Sequence, residues 1–429
     1  MKRFRFLLCA LSVCCVVNAQ ITLEECRQLA CENYPLIKQY GLIALSTDFT
    51  VANIAKTYLP QVSFGAQARY QSDVPAFSEQ ITQAFSQMGI DMKSMHKDQY
   101  KVALDVSQIV WDGGLTKAQK EISRAEGDVS IQSVETEMYK IRERVNQLYF
   151  GILMLREQTA QNALLRELLQ SNYENVASLV KNGVALDSDL SMIKAEQLAA
   201  SQQLTQIESM ITACCQMLSA MTGKQIAEDE TFIKPNIETF NVPTNENDRP
   251  ELRLFDAQSL QFEARKKAIT ASTLPRVGLF AQGYYGYPGL NMFEDMMNDK
   301  WSWNYIAGIN LQWNFDSFYT KKGHLRKLQI AQQQVNTQRD VFLFNSNLQQ
   351  LQQTNDIRKM NRLMADDEKI IQLRTEIRQS SEAKYANGTL TIHELLRDII
   401  AENQSSLTKA IHEIEYLKSI YELKNTINK

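Results

Sequence analysis

The stretch WSWNYIAGINLQWNFD, Trp301 to Asp316, separates cleanly by odd and even positions. Trp301, Trp303, Tyr305, Ala307, Ile309, Leu311, Trp313 and Phe315 fall on the odd positions, while the even ones are polar or bare except for Ile306. A two-residue period places successive side chains on opposite faces of a β-strand, so this segment has one apolar and one polar face. Most of the chain reads instead as long polar helices. The fold must therefore combine α and β elements, and the strands must find a medium for their apolar face.

Three further runs alternate in the same way. In QVSFGAQARYQ, Val62, Phe64, Ala66, Ala68 and Tyr70 share a face; in QYKVALDVSQIVW, Tyr100, Val102, Leu104 and Val106 do; RVGLFAQGYYG is the least strict. Each run is about ten residues, the length a tilted membrane strand needs. All four tryptophans of the chain, Trp111, Trp301, Trp303 and Trp313, lie in or at the ends of these runs, where amphipathic rings favour a bilayer interface. Trp303 and Trp313 share a face and would sit about 25 Å apart along the membrane normal, the height of an outer-membrane apolar band. Four strands cannot close a barrel, since about eight is the smallest count that does. Open edges in hydrocarbon would leave backbone groups unsatisfied, so several chains are expected to share one barrel.

The N-terminus agrees with export. Lys2, Arg3 and Arg5 precede the apolar run FLLCALSVCCVV and the small residues before Gln20, the pattern of a secretory signal peptide over residues 1–19. Its removal takes three basic residues and moves the net charge from −3 to −6, with no basic patch calling for nucleic acid. Cys9, Cys14 and Cys15 leave with it; Cys26, Cys31, Cys214 and Cys215 form neither a disulfide framework nor a zinc spacing.

The remaining chain repeats itself once. Asn33–Tyr70 lays over Asp248–Tyr285, aligning LPQV with LPRV; VSQIVWDGG pairs with NLQWNFDSF, and VKNGVALDSDL with YANGTLTIHEL. The first repeat is read as residues 20–247, with strands about 61–71 and 99–111 and a helical hairpin tip near 180–190. The second is read as 248–429, with strands about 276–287 and 301–315 and a tip near 385–395. Gly183 and Gly388 mark the helix-to-helix turns. Helices from Lys117 to about Asn172 and from Thr320 to about Lys384 would run on the order of 85 and 95 Å. The final helix carries a seam at Ile392, Leu396, Ile399, Leu407, Ala410, Ile414, Leu417 and Tyr421.

Taken in order, TLEECRQLACENYPLI, YLPQVSFGAQ, SQIVWDGG, YFGIL, RPEL, TLPRVGLFAQ and YANGTLTIHELL resemble the TolC-like outer membrane efflux proteins over about residues 21–427. The resemblance implies a homotrimer whose four strands per chain form a 12-stranded transmembrane β-barrel in the outer membrane, continuing into a long periplasmic α-helical barrel. It implies a periplasmic adaptor (membrane fusion protein) and an inner-membrane transporter as partners, and passive conduction of substrates with no cofactor. By position, it implies adaptor docking at Gly183, Val184, Gly388 and Thr389, and a closing link between Asp189 and Tyr385. The family's paired aspartates at the constriction correspond here to Glu394 and Arg397, which three residues apart on a helix can pair with each other; no acidic ring is expected.

Two other classes compete with this reading. An enzyme is disfavoured because His96, His324, His393 and His412 are scattered and no hydrolase, zinc-protease or nucleotide motif is present; DGG at Asp112–Gly114 reads as a strand-to-helix turn. A soluble periplasmic coiled-coil scaffold or adaptor would use the same helices but has no use for four aromatic-flanked strands.

Overall fold

The computed structural model describes residues 20–90, 94–236, 247–298 and 300–428. The expected signal peptide lies outside them, as do residues 237–246 of the expected link between repeats, Lys224–Asn247. Four antiparallel strands, β1 (Gln61–Tyr70), β2 (Asp98–Trp111), β3 (Arg276–Tyr287) and β4 (Ser302–Gln312), form one sheet in the order β1-β2-β3-β4. The helices among the described residues are α1 (Leu23–Asn33), α2 (Lys38–Ala55), α3 (Glu79–Gln87), α4 (Leu115–Lys181), α5 (Asp187–Thr222), α6 (Pro250–Ala271), α7 (Met292–Asn298), α8 (Asp316–Ala386) and α9 (Ile392–Ile427). None of them is long and apolar enough to cross a membrane.

The chain divides into two compact units, and each takes segments from both sequence halves. One comprises residues 1–39, 134–252 and 340–429; the other comprises 40–133 and 253–339 and holds the sheet. The compact units thus cut across the boundary near residue 247 that the repeat suggests. The reason lies in the pairing: β2 of the first half is hydrogen-bonded to β3 of the second along Tyr100–Trp111 and Val277–Tyr287.

Register carries the alternation across the sheet. Ala66, Val102, Tyr285 and Trp303 form one lateral row, and Phe64, Leu104, Gly283 and Tyr305 the next, all on the apolar face. β3 alternates least because Phe280 falls on the polar face. Its partner there is Gly308, and a Cβ on that glycine would stand 3.0 Å from the Phe280 ring, so the ring lies over bare backbone. Beyond β4 the chain departs from the expected strand: β4 ends at Gln312, and Trp313 sits one residue past it with its indole N–H donating to the Thr273 carbonyl at 3.1 Å.

The DGG turn joins β2 to α4 by side-chain capping. Asp112 accepts from the backbone N–H of Thr116 at 2.7 Å, of Gly114 at 3.0 Å and from the Tyr58 hydroxyl at 2.8 Å. Gly113 has φ +69°, and a Cβ there would meet the Leu274 side chain at 2.5 Å, so both conformation and space require glycine.

In the helical unit the core gathers Val145, Tyr149, Phe150 and Ile152 of α4, Cys215 and Leu218 of α5, Leu23 and Cys26 of α1, and Ile414 and Tyr421 of α9. The Tyr149 hydroxyl reaches the carbonyls of Ile21 (2.8 Å) and Ile233 (2.7 Å), tying both flanking segments to α4. α4 runs beyond the expected end near Asn172, since Asn172 donates its side-chain amide back to Leu168 at 2.9 Å and nothing interrupts the helix before Gly183. Two short helices, α3 and α7, occupy the segments between the strands of each half.

Candidate functional site

Two surfaces carry features that neither core packing nor turn chemistry requires. The first is the sheet. On its apolar face Phe64 is 74% exposed, Trp303 82% and Tyr305 83%, so the largest side chains of the strands stand outward with nothing over them among the described residues. Rings gather at both ends of this face. Tyr100 stacks on Trp301 at 5.8 Å and Tyr285 meets Trp303 at 5.0 Å at one end; Trp313, Phe315 and Phe318 lie 4.9–6.4 Å apart at the other, where Trp111 ends β2. Water would penalise such a face by about 25 cal/mol for each Å² of apolar surface, whereas a hydrocarbon medium would not.

The opposite face is polar and its side chains are held laterally. Lys101 donates to Gln282 at 2.7 Å and lies 4.2 Å from the Tyr284 ring centre, while Gln282 in turn donates to Asp105. Arg69 donates to Gln99 at 2.8 Å. The sheet thus has an exposed, aromatic-flanked apolar face and a hydrogen-bonded polar face. Only the outer edges of β1 and β4 lack a strand partner among the described residues.

The second surface is the helical tip. Gly183 (φ +73°) and Gly388 (φ +70°) close α4 and α8 with the same pair of bonds: Gly183 to Val180 and Val184 to Leu179, both 2.9 Å, against Gly388 to Tyr385 at 2.9 Å and Thr389 to Lys384 at 3.0 Å. Val184 and Leu186 stand 66% and 69% exposed at the first turn. The exposed Leu186 had no signal in the alternation or seam patterns, because it belongs to neither element.

Asp189 and Tyr385 meet. The Tyr385 hydroxyl donates to Asp189 Oδ2 at 3.2 Å, and the same oxygen lies 3.5 Å from the Leu186 N–H at the start of α5. Burial first, then the neighbouring Asp189 charge and the hydrogen bond to it, push the Tyr385 phenol up to about 12, so it is a neutral donor at physiological pH.

Glu394 and Arg397 do not pair with each other, contrary to the spacing argument. Glu394 turns back to cap α9, accepting from Thr391 N at 3.1 Å and from the Thr391 hydroxyl at 2.9 Å, and these bonds hold its carboxyl below the ordinary glutamate range. Arg397 lies 3.4 Å from Asp398 instead. A capping box at Thr391–Glu394 outcompetes an exposed ion pair, because it satisfies backbone donors that the helix otherwise leaves open.

The residues that join α8 to α9 went unread in the sequence. Between Asn361 and Ala386, the buried residues of α8 are Asp367 and Ser381, both polar. Ser381 donates to Asp398 at 2.6 Å, Asp367 lies 2.8 Å from His412 Nδ1, and Arg378 binds Glu402 and, at 2.8 Å, Glu382. The signal was present as polar residues at helical seam spacing, Asp367, Arg374, Arg378, Ser381 and Tyr385, but such a stripe reads equally as a solvated face.

No family model and no curated protein matches the sequence. Solved structures do. The outer-membrane channel OprN superposes with a TM-score of 0.69 over 94% of this chain and 89% of that one at 14% identity. The Campylobacter jejuni CmeC outer membrane channel gives 0.67 over 94% and 85% at 13% identity. CusC, studied for the conformational changes of folding and transmembrane channel formation, gives 0.70 over 95% and 92% at 13% identity. At such identity the likeness is one of fold, and the fold is that of the TolC-like outer-membrane efflux channels.

Proposed function

We propose that this chain, with its TolC-like fold, is the outer-membrane exit duct of a tripartite efflux or type I secretion system. Three copies would place β4 of one chain beside β1 of the next and close a twelve-stranded barrel, with the polar face turned to the duct and the aromatic-flanked face to lipid. The single observation that carries this reading is the two-faced sheet: an exposed apolar face with rings at both ends, an ordered polar face, and two unpaired edges. A soluble scaffold would leave Phe64, Trp303 and Tyr305 in water. The helices then extend into the periplasm, where the tip around Gly183, Val184, Gly388 and Thr389 receives a periplasmic adaptor and, through it, an energised inner-membrane transporter.

In this reading the duct does no chemistry. Substrates pass down their gradient, and the chain's own task is to open and shut. The Tyr385–Asp189 bond ties the end of α8 to the start of α5 and so holds the tip closed. Arg397, 68% exposed at the side chain, would line the narrow end beside Asp398. Arg397→Asp is then expected to shift the reversal potential toward cations; an unchanged potential would remove this residue from the pore wall.

The test is planar-bilayer conductance of the detergent-purified protein with the assembly mass measured on the same sample. Discrete conductance steps from a trimer are expected. A monomer that needs no detergent would sink the barrel and return the helices to a soluble scaffold.

A further inference from the structure

We infer that a groove between α6 and the start of α8 binds the headgroup of an anionic phospholipid in the periplasmic leaflet of the membrane that the sheet spans. The inference rests on the reading of the sheet as membrane-spanning and adds a specific lipid site to it. The groove has a volume of about 1100 Å³, roughly the upper end of the range for small-molecule sites, and is lined by Lys266, Lys321, Lys322 and Arg326 against one acid, Glu263. Glu263 lies 3.5 Å from Lys266, which leaves three cations without a carboxylate. Lys321 donates only to the Thr273 hydroxyl (3.3 Å) and Arg326 only to the Gln329 amide oxygen (3.2 Å), both neutral acceptors, and Lys322 has no partner among the described residues.

Two arguments place lipid there. The first is continuity with the apolar face of the sheet. Phe318 lines the groove and its ring lies 6.3 Å from Phe315 and 6.4 Å from Trp313, the aromatic group at the α8 end of that face, so the groove opens where the aromatic belt ends. The second is direction. Side chains of an α-helix lean toward its N-terminus, and α8 begins directly after β4, so Lys321, Lys322 and Arg326 lean back toward the strands. Long basic side chains reach an interface in this way with their stems along apolar surface. Net positive charge beside an aromatic belt fits a phosphate that carries an uncompensated negative charge better than a zwitterionic headgroup.

The test is native mass spectrometry of the detergent-purified assembly, equilibrated with equal amounts of phosphatidylglycerol and phosphatidylcholine of the same acyl chains. Phosphatidylglycerol should be retained on the order of tenfold more, and the double variant Lys322→Gln/Arg326→Gln should bring the two lipids close to parity. Lys327→Gln, on the same helix but outside the groove, should leave the preference unchanged. Should the double variant fail to purify, Lys322→Gln alone should lower retention about fivefold. Equal retention of both lipids by the wild type, or an unchanged preference in the variants, overturns the site. Displacement of the lipid by an equimolar amount of inorganic phosphate would also overturn it, since the groove would then read phosphate and not a lipid. A preparation that conducts in bilayers without any lipid preference removes this site alone, whereas one that needs no detergent removes the membrane-spanning sheet on which it rests.

Discussion

The two helical hairpins at the tip are built from opposite materials. α4 and α5 meet through Leu169, Val176, Ile193 and Ala200, and Ile392, Leu395, Leu396 and Ile399 of α9 join the same apolar cluster. Near the tip α8 reaches α9 through Ser381–Asp398, Arg378–Glu402 and Asp367–His412. Apolar burial is nondirectional and holds three helices as one body. Polar ties depend on geometry, and water replaces them at modest net cost once they separate. The difference separates an apolar frame of α4, α5 and α9 from α8, which near the tip is fastened mainly by bonds that water can take over, while farther along α8 Ile357 packs against Ile420 and Leu423 of α9. The Tyr385–Asp189 bond is the last of these fastenings, at the end of α8.

The comparison can be broken most severely at the apolar frame. Ile193 is fully buried, and Ile193→Ala should cost about 2–5 kcal/mol, read as lost hydrogen-exchange protection in α4, α5 and the start of α9 together. Loss confined to α5 would mean the three helices are not one body. A smaller effect is expected at the polar seam. Arg378→Ala strips Glu402 and Glu382 of their cation and should cost about 1–3 kcal/mol, with protection lost in α8 and the facing part of α9 but not in α4 or α5. The paired change Arg378→Met/Glu402→Leu should restore stability or raise it, as apolar replacement of a largely desolvated ion pair often does, while reducing conductance by fixing α8 to the frame. Full conductance in that double variant would argue that α8 need not move.

The smallest energetic effect falls on the Tyr385–Asp189 bond. Tyr385→Phe should cost less than about 1 kcal/mol yet raise the open fraction in bilayer recordings. A pH titration sharpens the point. The phenol's folded value is raised from its ordinary 10.0 to about 12, so its contribution is complete below pH 10 and is lost as the pH rises through about 12. Wild-type channels should open across that window, and the Phe variant should lack the step.

Alternation alone located the four strands to within a few residues, because a period of two cannot be satisfied by a helix and each run had a bounded length. Gly183 and Gly388 were legible for a similar reason: a positive φ at a helix end selects glycine over other residues. Spacing put Glu394 and Arg397 within reach of each other, but spacing states which side chains can meet, not which competitor wins; the free N–H groups at the start of α9 took the carboxylate. α3 and α7 were missed because short helices in a long segment leave little periodicity to read.

By itself, then, the sequence determined the elements and their faces: which residues alternate, where helices must stop, and that an aromatic-flanked apolar surface needs something other than water. Only the tertiary structure decided the partners. It set β2 against β3 across the two halves and turned the polar stripe of α8 into a seam instead of a solvated face. The physical reason is that periodicity and backbone conformation are local properties of a chain, whereas a polar side chain's role depends on what stands opposite it.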